Sequence, residues 1–201
     1  MSKKLTQQEK FWKSDFGDQY IKRNKQTLLR TKFWKMILEK VKIKNIYELG
    51  PNAGINLDAI KLVDKKISTN GTEINKKAQI ICLKKGHNIE QGSIVEKIKV
   101  KKKFDFVFTS SVLIHINPNK LDSVYKNINS LSKKYILINE YHSPFPVEVK
   151  YRGHKNVLFK RDFAHEIQKK YNYKLIDYGF LWKFDKNNFY PDLNWFLFKK
   201  K

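Results

Sequence analysis

The sequence has 201 residues, of which 41% are hydrophobic and 14% aromatic. Such a chain can bury one apolar core and is too apolar to stay disordered, so we expect a single folded domain over residues 1–201. Its first lysines are followed by no apolar run, which predicts a cytoplasmic protein without a signal peptide or membrane insertion. A single cysteine, Cys82, excludes a disulfide framework, and the sequence predicts no metal site.

The charge of the chain is strongly positive, with 42 basic and 19 acidic residues and a formal net charge of +23. Such a balance ordinarily indicates nucleic acid or another anionic partner. Here 38 of the basic residues are lysine and four are arginine, and they accompany 20 isoleucines and 17 asparagines. This pattern is typical of AT-rich codon usage, whereas specific phosphate contacts favour arginine. We interpret most of the charge as solvated surface and keep nucleic acid as the weaker alternative.

The first part of the chain predicts a strand between two helices. After an aromatic N-terminal segment, residues 1–24, apolar residues at spacings of three and four predict a helix over residues 26–41. The β-favouring run Asn45–Leu49 predicts a strand that ends at a glycine, and helical spacing resumes over Ile55–Val63. These residues predict a helix, a strand, a turn and a second helix.

The middle of the chain continues this alternation. We predict a strand over residues 68–74, a helix over 75–85 that stops at Gly86, and a short strand near Asn88. A strong strand follows at residues 104–109. Strands that alternate with helices indicate a parallel sheet with right-handed crossovers.

The C-terminal part ends differently. A helix is predicted over residues 118–132 and another over 161–171, with an apolar strand at 135–141 between them. Residues 174–184 and Leu193–Lys199 are too close together for a crossover helix, so we expect an antiparallel hairpin. The predicted fold class is α/β, a doubly wound sheet that is mostly parallel with one antiparallel C-terminal strand.

The turn after the first strand is the main functional signal. It reads Glu48-Leu49-Gly50-Pro51-Asn52-Ala53-Gly54, and ligands in open α/β sheets bind at such a turn beyond the carboxyl ends of the strands. The dinucleotide fingerprint requires glycine at three positions, which here hold Gly50, Asn52 and Ile55. The fingerprint therefore fails at two of its three positions.

The same turn resembles the first motif of class I S-adenosylmethionine-dependent methyltransferases, which is an acidic residue, an apolar residue, a glycine and a further glycine four positions on. Glu48, Gly50 and Gly54 fit that motif, with Pro51 and Asn52 inside the turn. Residues 104–116 also resemble the family's fourth strand and its exit. The resemblance implies a Rossmann-like fold and S-adenosylmethionine as the cofactor.

The resemblance also implies roles for residues on the next strands. Glu73 and Ile74 end the second strand, where a carboxylate can accept hydrogen bonds from both ribose hydroxyls. Gly92 and Ser93 fall beside the adenine, although many relatives carry an aspartate at the position of Ser93. Ser110 falls near the methionine end of the cofactor.

Several further stretches resemble one subgroup, the methylases associated with pseudaminic acid biosynthesis in bacteria. They are residues 11–20 with Arg23 and Asn24, then residues 139–141, 144–154 and 159–163. This resemblance implies a small-molecule acceptor, a sugar or nucleotide sugar of a surface-glycan pathway. It leaves the methylated atom open.

The acceptor is expected to meet the methyl group beside the polar loop over residues 142–158, which leaves the carboxyl end of the fifth strand. The candidate substrate residues are Tyr141, Arg152 and Lys160. The two cations, Arg152 and Lys160, would suit a carboxylate or phosphate on a sugar. An equally weighted alternative is that Arg152 pairs with Asp162 and only holds the loop.

Four residues near this edge are candidate general bases for a hydroxyl acceptor: His115, Glu140, His142 and His154. We favour His142 or His154 for contact with the substrate. For His115 we favour packing beneath the helix that begins near Pro118.

The N-terminal segment is predicted to act as a lid over the cofactor, with Gly17 as a hinge and with Tyr20 or Arg23 near the methionine carboxylate. The alternative is a helix packed permanently on the core. Two other functions stay open: an RNA or protein methyltransferase, which the charge suggests, and a module that binds S-adenosylmethionine without turnover.

Overall fold

The computed structural model describes residues 4–23, 28–186 and 190–201. Nine strands are present in that part of the chain. They are β1 (Asn45–Leu49), β2 (Ser68–Glu73), β3 (Asn88–Gln91), β4 (Phe104–Ser110), β5 (Ser132–Glu140), β6 (Val147–Glu148), β7 (Phe159–Lys160), β8 (Lys174–Leu181) and β9 (Leu193–Lys199). Seven of them form one sheet in the order β3-β2-β1-β4-β5-β9-β8, while β6 and β7 form a small antiparallel pair.

The sheet has the predicted topology. Strands β1 to β5 pair in parallel, and β9 pairs antiparallel with both β5 and β8. The mostly parallel α/β prediction with one antiparallel C-terminal strand is therefore confirmed. The strand order reverses between β1 and β4, and such a switch point opens a crevice at the carboxyl ends of the strands.

Helices cover both faces of the sheet. They are α1 (Gln7–Lys13), α2 (Asp15–Arg23), α3 (Thr31–Glu39), α4 (Ile55–Val63), α5 (Lys76–Lys84), α6 (Leu121–Leu131) and α7 (Phe163–Tyr171). Residues of α3, α4 and α5 pack with Phe106 and Phe108 in one apolar core. Residues of α6 and α7 pack with Val107 and Ile138 in the other. Adjacent residues of β4 thus enter opposite cores, as strand alternation requires.

Several element boundaries differ from the prediction. The helix predicted over residues 26–41 is a 3-10 turn, Leu28–Arg30, followed by α3, and residues 26 and 27 lie outside the described part. The helix predicted over 118–132 likewise begins with the 3-10 turn Pro118–Lys120 and ends at Leu131. The helix predicted over 161–171 begins at Phe163, because the Asp162 carboxylate accepts a hydrogen bond from the His165 N–H and caps it.

The loops hold elements that the periodicity did not reveal. The N-terminal segment forms α1 and α2, and α1 begins with a capping box in which Thr6 and Glu9 exchange hydrogen bonds. The loop over residues 142–158 contains β6 and an isolated bridge between Tyr151 and His154. No helix in the described residues is long and apolar enough to cross a bilayer.

Candidate cofactor and acceptor site

A cavity of about 570 Å³ lies at the carboxyl ends of the parallel strands, beneath the N-terminal helices. Most of the predicted cofactor residues line it. These are Tyr20, Glu48, Gly50, Pro51, Asn52, Glu73, Ile74, Ser93 and Ser110. The structure therefore brings together residues from four strand ends that the sequence had assigned to one ligand.

The turn after β1 depends on left-handed backbone conformations. Gly50 has a φ of +71°, and a Cβ built there would lie 3.0 Å from the Val112 Cγ2 atom. Gly54, with a φ of +78°, caps α4 and packs against Cys82. Gly50 thus keeps the cavity wall as bare backbone, whereas Gly54, predicted to bind the cofactor, packs against Cys82 and is not part of the wall.

Glu73 ties this turn to the end of β2. Its two carboxylate oxygens accept hydrogen bonds from the backbone N–H groups of Asn52 and Asn75, each at 2.7 Å. The side chain is buried, and burial raises its pKa. Because a carboxylate offers about four lone-pair sites, these backbone donors, with the Ile74 N–H nearby, leave acceptor capacity for a ligand.

Glu48 is the second buried carboxylate of the cavity. Its Oε1 atom accepts a hydrogen bond of 2.7 Å from the Asn56 Nδ2 atom, and its Oε2 atom has no partner. Burial raises the Glu48 pKa to about 8. A buried carboxylate oxygen without a donor is costly, so this atom indicates a cationic or hydrogen-bond-donating ligand.

Asn56 was missed by sequence reasoning. Its Oδ1 atom accepts hydrogen bonds from Arg30 Nη1 at 2.8 Å, Tyr190 OH at 2.8 Å and Trp34 Nε1 at 3.4 Å. These partners lie on different elements, so Asn56 joins α3 and the C-terminal hairpin to Glu48. Its position in the first turn of α4 was the available signal, since a polar residue there lies close to the ligand turn.

The loop after β3 meets the N-terminal segment. Ser93 donates a hydrogen bond of 2.5 Å to Glu9, and burial of Glu9 is outweighed by this and other hydrogen bonds, which together lower its pKa. Gly92, in contrast, is not part of the cavity wall, and its N–H group donates to the Glu73 backbone carbonyl at 3.0 Å. Of the two residues predicted to lie beside the adenine, Ser93 therefore lines the cavity and Gly92 does not.

The N-terminal helices form the roof of the cavity. Trp12 and Tyr20 line it, and the Trp12 carbonyl accepts a hydrogen bond from Asn75 Nδ2 at 3.2 Å. The predicted hinge, Gly17, lies inside α2, where a Cβ would be 2.1 Å from the Trp12 carbonyl oxygen. Gly17 is therefore a close-packing position and not a hinge. The side chain of Arg23 lies outside the described residues.

Of the described histidines among the predicted bases, His115 alone lines the cavity. Its Nδ1–H donates a hydrogen bond of 2.6 Å to the Val157 carbonyl, which leaves Nε2 as the acceptor of the neutral ring. Burial lowers its pKa to about 4. The rings of Trp12 and Tyr151 lie 4.6 Å and 5.2 Å from it, centroid to centroid.

The other three predicted bases lie outside the cavity wall. Glu140 is buried, with its Oε1 atom accepting from the N–H groups of Val112 and Leu113, so it shapes the turn after β4. His142 lies 3.6 Å from Asp162, and His154 is exposed and packs against Phe11 and Phe16. Of the three histidines, His115 is therefore the one placed to contact a ligand in this cavity, whereas sequence reasoning favoured His142 or His154.

The predicted acceptor residues divide similarly. Tyr141 and Arg152 line the cavity, while Lys160 does not, and its Nζ atom lies 5.0 Å from the centroid of the Tyr141 ring. Lys183 also lines the cavity, with its Nζ atom 3.7 Å from an Asp192 carboxylate oxygen, and it was not predicted, since nothing in the sequence separates it from the other lysines. The cavity wall therefore includes the cations Arg30, Arg152 and Lys183 together with several aromatic residues.

Comparisons with known proteins agree with this fold. No protein-family model and no curated protein matches the chain. It is similar in structure to the 1,6-didemethyltoxoflavin-N1-methyltransferase of Burkholderia thailandensis, with a TM-score of 0.70 and 10% identity, covering 100% of this chain and 93% of that one. The magnesium protoporphyrin IX methyltransferase of Synechocystis PCC 6803, solved with bound SAM, has a TM-score of 0.66 and 12% identity, covering 100% of both chains. The methyltransferase domain of a bacterial CtHen1 has a TM-score of 0.64 and 17% identity, covering 85% of this chain and 97% of that one.

At these identities the likeness establishes the fold. The chain has the fold of class I S-adenosylmethionine-dependent methyltransferases, and the cavity described above lies at the switch point of that fold.

Proposed function

We propose that the chain is an S-adenosylmethionine-dependent methyltransferase of a small acidic acceptor. The observation that carries the proposal is a pair of buried carboxylates, Glu48 and Glu73, which end neighbouring parallel strands and line one cavity beside the bare backbone of Gly50. The Glu48 carboxylate keeps one oxygen without a partner, whereas both Glu73 oxygens accept from backbone N–H groups, so the two side chains suit different groups of one ligand.

The residues present fit the cofactor. The unpartnered Glu48 Oε2 atom would accept from its ammonium group, and the Glu73 oxygens would accept from its ribose hydroxyls. Gly50 would let the backbone approach closely, because any Cβ there meets Val112. Ile74 and Ser93 would flank the adenine, and Tyr20 would close the methionine end.

When bound, the cofactor supplies a methyl group already activated by a sulfonium, so the chain has to align the acceptor and exclude water. Trp12, Tyr20 and Tyr141 would exclude water, since their rings lie on the cavity wall. His115 would accept a hydrogen bond from an acceptor hydroxyl at Nε2, because Nδ1 is held by the Val157 carbonyl. We assign His115 this role in place of His142, His154 and Glu140.

The acceptor end of the cavity suits an acidic sugar. Arg152 and Lys183 would bind a carboxylate or phosphate, and the rings of Tyr151 and Trp12 would pack on the apolar face of a sugar. The resemblance of several sequence stretches to methylases associated with pseudaminic acid biosynthesis supports this choice. A sugar or nucleotide sugar of a bacterial surface-glycan pathway is therefore our proposed acceptor.

Calorimetric titration with S-adenosylmethionine tests the cofactor. We expect binding by the wild type and at least a tenfold loss for Glu73→Ala, which removes both ribose acceptors. Glu90→Ala is the matched control, because Glu90 is an exposed carboxylate one strand away. A folded wild type that binds no cofactor contradicts the proposal.

A transfer assay with a labelled methyl group tests the acceptor. We expect transfer to nine-carbon acidic sugars or their nucleotide-activated forms, with Arg152→Gln raising KM for these and leaving cofactor affinity unchanged. Transfer to RNA or protein instead would support the alternative that the net charge suggests. Cofactor binding without transfer to any acceptor class would identify a non-catalytic binding module.

We also propose that residues 1–24 close the cavity as a lid. Support comes from the contacts of α1 and α2, which reach Ser93, Asn75 and the Asn156 carbonyl, all on separate loops. Deleting the segment is expected to weaken cofactor binding at least tenfold, while unchanged affinity in a folded chain would refute the lid. A Gln8→Ala/Asp18→Ala chain, which loses two tethers and keeps the segment, should show a smaller loss.

A further inference from the structure

The edge strand β8 carries a row of exposed apolar side chains outside the cavity. Tyr178 and Phe180 are 65% and 56% exposed, and Trp182 and Phe184, just beyond the strand, are 54% and 65% exposed. Scattered exposed apolar residues are ordinary, but four large aromatic side chains at every second position along one edge are not. Within β8, the spacing of two places Tyr178 and Phe180 on the same face of the sheet, and the Trp182 and Phe184 rings follow in the turn after the strand, with their centroids 5.5 Å apart.

This row is continuous with two aromatic residues of the neighbouring strand, β9. The Tyr178 ring stacks on Phe196 of β9, with centroids 6.1 Å apart and planes 13° apart. Phe196 stacks in turn on Phe198, which is buried beneath the helices. The exposed row is therefore the uncovered margin of a packed aromatic face and not a set of loose surface side chains.

The backbone of β8 is also open to pairing. Within the described residues, β8 pairs with β9 on one side and with no strand on the other. Eight residues, Lys174–Leu181, thus present edge N–H and C=O groups beside apolar side chains. An edge with both features is a template for a further strand.

We propose that β8 is the interface of a symmetric dimer, in which the occupant of the edge is β8 of a second copy of this chain. Two copies related by a two-fold axis would pair their β8 strands antiparallel, and the same surface would supply both halves of the contact. Four aromatic side chains that are each more than half exposed offer about 500 Å² of apolar surface per copy. With the backbone edge and flanking residues, this approaches the roughly 800 Å² per partner of a stable interface.

The position of the row links the dimer to the site. Lys183 lies between Trp182 and Phe184 and also lines the cavity, as does Pro191 in the following segment. The interface would therefore lie beside the cavity wall. This inference goes beyond the proposed function and does not depend on it, since oligomeric state is measured without cofactor or acceptor.

The net charge of the chain allows a dimer interface to be distinguished experimentally from a lipid-binding surface. Each copy carries a formal net charge of +23, so two copies repel one another and salt should strengthen their association. Binding of the same aromatic and lysine-flanked row to an anionic membrane would be weakened by salt.

Sedimentation equilibrium of the full chain at about 150 mM and about 500 mM salt tests the proposal. We expect a dimer that is tighter at the higher salt, and at least a tenfold weaker dimer for Tyr178→Ser/Phe180→Ser. The matched control is Leu62→Ser/Leu83→Ser, which removes two comparably exposed apolar side chains from α4 and α5 and should leave the dimer intact. Circular dichroism and melting temperature verify that each variant is folded.

A chain that stays monomeric at about 100 µM under both conditions overturns the proposal. So does a dimer that both double variants form equally well, since its interface must then lie elsewhere. Co-sedimentation of a monomeric wild type with phosphatidylglycerol vesicles, lost at high salt and lost in Tyr178→Ser/Phe180→Ser, would assign the row to a lipid surface instead. Should the double serine variant not fold, Phe184→Ser alone is used, because Phe184 lies outside the strand.

Discussion

The Glu48→Gln substitution tests whether Glu48 binds a cationic group of the cofactor in its charged form. Burial raises the Glu48 pKa from its ordinary 4.5 to about 8, so at pH 7 only about one molecule in ten carries the charge. If the cofactor ammonium binds the charged form, affinity should rise about 50-fold between pH 6 and pH 8, and about 0.9 proton should be released per cofactor bound at pH 7. Glutamine has nearly the same shape as glutamate but does not ionise, so Glu48→Gln should remove both the pH dependence of affinity and the proton release.

Calorimetry at several pH values, in buffers of different ionisation enthalpy, measures affinity and proton release together. Glu73→Gln is the control, because the Glu73 pKa is also raised by burial and could contribute a second proton. Affinity that is independent of pH in the wild type, or a slope that survives in Glu48→Gln, would refute the assignment of the ammonium to Glu48.

The same substitution has a consequence for stability. A carboxyl group whose pKa is raised in the folded state stabilises the fold fully below pH 4.5, and this contribution is lost as pH rises through about 8. A rise from 4.5 to about 8 corresponds to an upper limit of about 5 kcal/mol, at 1.36 kcal/mol for each pH unit. The free energy of unfolding in urea, taken as Glu48→Gln minus wild type, should therefore be larger at pH 8.5 than at pH 5.

Three further substitutions have defined outcomes. Gly50→Ala should lower the free energy of unfolding in urea by about 1–3 kcal/mol and weaken cofactor binding. Gly86→Ala is the control, because Gly86 also has a positive φ but a Cβ there would have nothing within 4 Å, so its loss of stability should be smaller. The difference between the two variants measures the effect of the contact with Val112. His115→Asn should remove a loss of stability that the wild type shows as pH falls from 6.5 to about 4, because a histidine with a lowered pKa destabilises the fold only where the unfolded chain is protonated. Asn56→Leu should cost about 3 kcal/mol or more in the same unfolding assay, since it strands several buried donors, and an unchanged midpoint would contradict its role as a hub.

The fold could be predicted from the sequence because its signals are local. The apolar run of β4, the glycine turn after β1 and the short gap between β8 and β9 each restrict structure within about ten residues. Glu48 and Glu73 could be assigned together because parallel strands bring their carboxyl ends to one edge. The predicted helix boundaries were wrong where a side-chain hydrogen bond fixes the first turn, as the Asp162 carboxylate does for α7.

The site could be predicted only in part, because its remaining contacts are between residues distant in the sequence. The Asn56 side chain accepts hydrogen bonds from Arg30 and Tyr190, which lie 26 and 134 residues away in the sequence. No local sequence pattern predicts such pairs. The choice among histidines had the same difficulty. His115 reaches the cavity because the Val157 carbonyl, 42 residues away, fixes its ring, while Asp162 and the Phe11 ring contact the other two.

One residue, Asn75, connects the two halves of the site. Its backbone N–H holds the Glu73 carboxylate, while its side-chain amide donates to the Trp12 carbonyl and to Asp18 in the N-terminal helices. A ligand that bonds with Glu73 therefore acts on a group already joined to the roof, and the roof in turn places Trp12 against His115. Cofactor binding and the shape of the acceptor end are thus linked through this buried asparagine, in addition to the Ser93–Glu9 hydrogen bond, so an Asn75→Ala chain should lose affinity for both ligands together. Loss of cofactor affinity alone, with acceptor KM unchanged, would show that the two halves are independent.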